Sequence, residues 1–258
     1  MIKEAKSIIL YHRSHRRIAG SLGLFFLQYF FFIVPLFLVV IFFYPYITHV
    51  ACSLAHAVLA PYFPDATVKI LQFPYFLGNA SYIDLPGKDP TLFFSLLNAL
   101  ASLALLIFLP TFKKTKHMLI FFTVVAFINF VSSLFFLFFP NRFPYEVVEF
   151  SELYIKQQIS IWLFIPVITG LAVLPLPSSL ASKVITVLVI FLYSLVFGAV
   201  RYVVFLFVLG KVSMLYMAIF FFVLGPLIDF VYVVGIYGVY VARLAENMRG
   251  NFALWKWS

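Results

Sequence analysis

Residues 184–210 read VITVLVIFLYSLVFGAVRYVVFLFVLG, and residues 214–241 read MLYMAIFFFVLGPLIDFVYVVGIYGVYV. At about 1.5 Å per helical residue, either run is long enough to cross roughly 30 Å of hydrocarbon. Each holds a single ionisable residue, Arg201 in the first and Asp229 in the second. Only Lys211, Val212 and Ser213 lie between them, so the two runs read as neighbouring antiparallel transmembrane helices.

The same reading extends along the chain. Apolar runs at about 20–46, 91–110, 118–139 and 157–177 raise the expected spans to six. Pro110, Pro140, Pro175 and Pro177 punctuate their ends. Of the 258 residues, 64% are hydrophobic and 10% charged, against about 25% charged in soluble domains. The mean hydropathy is +1.09. A water-soluble fold has no interior large enough for so much apolar surface. The expectation is one all-α domain over 1–258, a polytopic helical bundle in contact with the lipid bilayer. The first outside loop adds a short strand-like hairpin, from the alternating runs near Thr67–Leu71 and Ala80–Asp84 and the turn residues Phe73-Pro74 and Leu77-Gly78-Asn79. It is expected to lie on the membrane surface.

The charges orient the bundle. With the N-terminus inside, the cytoplasmic segments hold 12 basic residues against two acids, and the outside segments five against six. Each cytoplasmic segment is net basic, as the positive-inside rule requires. The net charge of +9 is thus a topology signal, not a nucleic-acid footprint. Residues 1–19 read either as a basic flank or as an interfacial amphipathic helix, and no signal-peptide cleavage site follows them. Phe252–Trp257 has the aromatic-plus-lysine pattern of an interfacial anchor.

Polar residues inside the spans are the candidate site. Measured from the outer ends, Arg201 falls about 13 Å deep and Asp229 about 22 Å. They read as an ion pair that locks two helices, as a functional site, or as two groups that do not meet. Asn98 and Asn129 lie in the same outer half, with Ser132 and Ser133 on the Asn129 face. These read either as a polar pocket around Arg201 or as hydrogen-bonding glue between helices. His49, the single cysteine Cys52, and His56 share a helical side at spacings of three and four. That spacing suits a thiol–imidazole pair or a metal, yet no fourth ligand or acidic partner lies nearby in sequence, so structural roles remain open beside both. The phosphate-binding glycine loop, HExxH and GxSxG are absent, and the six spans hold no histidine for a haem. No cofactor or metal is expected.

The stretch 91–145, TLFFSLLNALASLALLIFLPTFKKTKHMLIFFTVVAFINFVSSLFFLFFPNRFPY, resembles the core of the exosortase/archaeosortase superfamily. There a span ends in a Pro-and-basic turn and leads into a span with an Asn-x-x-Arg pattern. Asn129-Phe130-Val131-Ser132 keeps the Asn but places Ser132 at the Arg. The cysteine and histidine that complete that family's transpeptidase-like site have no counterparts after Pro90 or after the third span. Over about 20–177, with Lys88-Asp89-Pro90 leading the second span, the chain looks closer to the exosortase H-associated membrane proteins, which lack the triad. That resemblance implies a non-enzymatic partner of another protein in the bacterial inner membrane, serving protein sorting or envelope biogenesis. A transporter or channel component around Arg201 and Asp229, and a divergent cysteine peptidase using Cys52, are the alternatives.

Overall fold

The structure is a computed structural model and describes residues 16–18, 22–71, 75, 77–109, 116–248 and 255–257. The basic flank at 1–15, the turn at Phe73-Pro74 and the basic run at 113–115 fall outside the described residues. Five helical segments have the length and apolar composition to cross a membrane: Gly23–Leu59, Leu119–Phe138, Val147–Val173, Leu180–Lys211 and Met214–Met248. A sixth apolar helix, Leu92–Phe108, is shorter. The chain is thus a multi-pass helical membrane protein.

Strand β1 (Arg16–Ile18) is followed by α1 (Leu22–Gln28), a π-helical turn (Tyr29–Ile33) and α2 (Val34–Leu59). Pro35 follows directly on the π-helical turn, whose Tyr29 carbonyl accepts from the Val34 amide, and Pro45 sits inside α2. Helix α2 runs on through the small-residue stretch to Leu59 rather than ending near 46 as its hydropathy implied. Strands β2 (Thr67–Ile70) and β3 (Ser81–Asp84) form the antiparallel hairpin, with Val68 opposite Ile83. Helices α3 (Leu92–Phe108) and α4 (Lys116–Phe138) pack on each other, α3 being capped by the Thr91 hydroxyl, which accepts from the Phe94 amide at 3.2 Å. A Glu146–Glu149 capping box starts α5 (Val147–Val173) ten residues before the expected boundary at 157. Ser179 caps α6 (Leu180–Lys211). Then come α7 (Met217–Phe222) and α8 (Pro226–Met248), and β4 (Trp255–Trp257), which pairs with β1.

Helix α5 is the centre of the bundle. Half of its apolar span is buried (50%), against 11% for Gly23–Leu59, whose outward residues face the lipid. Two expectations are corrected here. The hairpin does not lie on the surface: β3 enters the bundle and packs on α2, α5 and α6, with Ser81, Tyr82 and Ile83 buried. The sixth span is not one helix either. It breaks at Val223, Leu224 and Gly225, ahead of Pro226, and the Val223 and Leu224 amides both turn back to the Ile219 carbonyl at 3.0 Å. A Pro after a Gly ends one helix and starts the next, because Pro has no N–H for the ladder.

Side chains replace the sheet partners that β3 lacks on its inner edge. The Ile83 amide donates to the Tyr202 hydroxyl at 2.9 Å, and the Ser81 amide to the Thr48 hydroxyl at 3.3 Å. Ser151 joins Tyr202 at 2.5 Å. At the turn, the Tyr44 hydroxyl donates to the Gly78 carbonyl at 2.6 Å and accepts from its amide at 2.7 Å. Gly78 is required there: a Cβ would stand 2.8 Å from Pro45 Cγ. Buried backbone polar groups must be satisfied somewhere, and in lipid only the protein can satisfy them.

Candidate functional site: a buried ion pair at a helix break

Arg201 and Asp229 are each 4% exposed and form an ion pair, Nη2 to Oδ2, at 2.8 Å. Arg201 stands about two-thirds of the way along α6, and Asp229 stands in the first turn of α8, where a negative charge suits the helix N-terminus. The guanidinium does more than pair. Its Nη1 donates to the carbonyls of Gly225 (2.8 Å) and Leu224 (3.2 Å), and its Nε donates to the Tyr154 hydroxyl (2.9 Å). The Tyr154 hydroxyl passes its own proton to the Gly198 carbonyl at 2.9 Å. Rings of Tyr154, Phe197 and Phe205 surround the cation with centroids 5.5, 5.7 and 5.9 Å away. Four of the five N–H groups of Arg201 are engaged, and they hold together α5, α6, the break and α8.

Further polar side chains adjoin the pair. Gln158 and Tyr232 face the Asp229 carboxylate without reaching it in hydrogen-bonding geometry, and Ser194 faces Tyr232 in the same way. Asp229 Oδ1 and both amide atoms of Gln158 are buried without a hydrogen bond to the described residues. The Gln158 amide occupies the space that a Cβ on Gly198 would take, and Gln157 reaches Gly225 at the break. In sequence Gln157 and Gln158 fall at the outer end of the expected span 157–177 and are not among the candidate site residues. Only the early start of α5 moves them into the bundle. Tyr154 and Tyr202 gave no signal among 15 tyrosines.

The other expected site residues go elsewhere. Asn98 donates to Ser133 at 2.8 Å, Asn129 donates to Ser102 at 2.7 Å, and the Ser133 hydroxyl donates to the Asn129 carbonyl at 2.7 Å. These contacts stitch α3 to α4, and Tyr216 reaches them from beyond α6 at 3.4 Å from Asn98 Oδ1. Ser132 is half-buried on α4. None of these groups bonds to Arg201, whose partners are on α5, α8 and the break, so the single pocket considered from sequence resolves into two separate seams.

Cys52, His49 and His56 do not act on one another. The Cys52 thiol is buried and donates to the Ser81 carbonyl of β3 at 3.2 Å. His56 Nε2 lies 2.9 Å from the Ala66 carbonyl, while His49 is exposed. No cluster of three or more His, Cys, Asp or Glu side chains is placed to hold a metal among the described residues. Lys183, counted by sequence as a loop cation, is buried in the first turn of α6. Its ammonium donates to the Leu174 carbonyl at 2.6 Å and lies 3.5 Å from the Gln28 amide oxygen.

No protein-family model matches the chain, and neither a curated protein nor a solved structure matches it significantly.

Proposed function

We propose that this protein is a non-enzymatic subunit of the bacterial inner membrane, crossing it six times with both termini in the cytoplasm, and that it acts by holding another membrane protein in sorting or envelope biogenesis. The observation that carries the non-enzymatic reading is the saturation of Arg201. Four of its donors are spent on the protein's own groups, which leaves the buried cation to lock helices rather than to receive a substrate. The burial of Cys52 against Ser81, apart from both imidazoles, supports the same reading. Six crossings are supported by α3, which at about 25 Å nearly matches the hydrocarbon core, and by the β1–β4 pairing, since an even number of crossings brings the termini to one side. The sorting role rests on the resemblance over about residues 20–177 alone.

Chemical cross-linking in native membranes followed by affinity purification tests this. The expected result is one membrane protein recovered in constant ratio to the chain. A chain that comes out alone at every cross-linker length overturns the reading.

The break between α7 and α8 favours one second reading, a transporter component, because interrupted helices at membrane depth line substrate paths in that class. Arg201→Ala and Asp229→Ala would then abolish flux of a substrate that the wild-type chain carries in vesicles. A chain whose two variants carry every tested solute as well as wild type is not a transporter of this design.

A further inference from the structure

A groove of about 770 Å³ runs between the first turns of α6 and the last turns of α8, at the end of the bundle away from the hairpin. Its mouth is polar, lined by Ser178, Ser179, Ser182, Arg243 and Asn247. Its walls further into the bundle are apolar, with Ile185 and Val189 on α6 facing Ile236 and Val239 on α8. The Ser178 and Tyr240 hydroxyls, 2.5 Å apart, tie the α5–α6 turn to α8 and fix the width of the mouth. Among the described residues no acidic side chain lines the groove, and Arg243 makes no ion pair with Glu246 or any other of them.

We infer that this groove binds one anionic phospholipid, with its phosphate on Arg243 and the serine hydroxyls and an acyl chain between α6 and α8. Charge commits the mouth to an anion, because the one ionised group lining it among the described residues is a guanidinium, which suits a phosphate by geometry as well as sign. Length commits the groove to a lipid. From Ser179 to Val189 the helix rises about 15 Å, which is half of the roughly 30 Å hydrocarbon core and therefore the depth of one leaflet. A free phosphate would use the mouth and leave that apolar slot idle. Basic sites between transmembrane helices on the cytoplasmic side take acidic headgroups in this way. The inference relies on the proposed orientation only for which leaflet supplies the lipid, and not at all on the subunit role.

The test uses the full chain reconstituted into phosphatidylcholine vesicles doped with phosphatidylglycerol, then extracted gently and weighed by native mass spectrometry. Wild type is expected to retain phosphatidylglycerol over phosphatidylcholine about fivefold beyond their ratio in the vesicle, the share of one basic residue at the membrane surface. Arg243→Lys keeps the preference and Arg243→Ala abolishes it. Val239→Trp, which fills the apolar slot, removes retention of both lipids while far-ultraviolet dichroism and melting stay as in wild type. Excess inorganic phosphate leaves retention unchanged. Equal retention of the two lipids by wild type, full preference in Arg243→Ala, or displacement by inorganic phosphate each overturns the assignment; the last would make the mouth a site for free anions. Membrane orientation is read separately by cysteine labelling, so an inverted topology and an empty groove give different results.

Discussion

Arg201 shows how much one residue can hold in a membrane. Its removal strips Asp229 of a counter-ion and leaves the Leu224 and Gly225 carbonyls without donors, in a place where water cannot substitute. Asp229→Leu should cost about 3 kcal/mol or more, because it strands a buried guanidinium. In the double variant Arg201→Met, Asp229→Leu the stranded charge disappears, and part of that loss should return. The remainder is the two uncapped carbonyls, at roughly 1–3 kcal/mol each. Denaturant titration in micelles measures all three. A double variant no more stable than Asp229→Leu would show that the charges are not coupled as the geometry implies. On the hairpin, the hydrogen bond from the exposed Lys69 to Asp84 holds the Lys69 ammonium above its ordinary pKa. A raised folded value stabilises below the unfolded one, near pH 10.4, and the benefit is lost as pH rises through the folded value. Melting curves of wild type and Lys69→Met should therefore differ by a small constant amount at neutral pH and converge as pH rises through the raised folded value.

At the scale of elements, the hairpin and the broken sixth span depend on the same helices. β3 has a sheet partner on one edge only, and its other edge is satisfied by Thr48, Ser151 and Tyr202. Tyr202 stacks on Tyr154 at 5.1 Å, and Tyr154 accepts from Arg201, so the hairpin and the helix break meet through two tyrosines. Unseating β3 should be visible at Cys52, whose thiol is capped by Ser81. In wild type a soluble maleimide should label Cys52 at least about tenfold more slowly than an exposed cysteine, as burial of the thiol requires. Gly78→Ala, which drives a Cβ to 2.8 Å from Pro45 Cγ, should bring the labelling rate close to that of the exposed control. Unchanged slow labelling would mean that the turn is not what seats the strand. The α3–α4 seam is a simpler matter, since Asn98 donates to Ser133 and Asn129 to Ser102 across it. Asn129→Leu should cost no more than about 2 kcal/mol, the upper range for such bonds between transmembrane helices.

For the whole molecule, topology is the decisive quantity. In a Cys52→Ala background, single cysteines at Asp65 and at Ser178 stand on opposite ends of the bundle. The first should label from outside intact cells and the second only after permeabilisation. The same pattern at both positions would break the six-span reading. The pairing of β1 with β4 predicts that residues 17 and 256, which face each other, cross-link within one chain when both are replaced by cysteine.

Hydropathy by itself determined that the chain is a multi-pass helical bundle, because a run of about 20 apolar residues has no other low-energy placement. It also found Arg201 and Asp229, since a charge in such a run stands out against its neighbours. Local pattern gave the hairpin and the Pro-marked ends of α4 and α5. Tertiary structure decided the rest. That β3 is buried follows from hydroxyls on α2, α5 and α6 that are far from it in sequence, and that the sixth span breaks follows from a guanidinium on α6 able to cap the freed carbonyls. Gln157 and Gln158 became interior residues only when the capping box lengthened α5. Periodicity reports which solvent a residue faces, whereas these placements depend on which distant group can satisfy a backbone N–H or C=O once water is excluded.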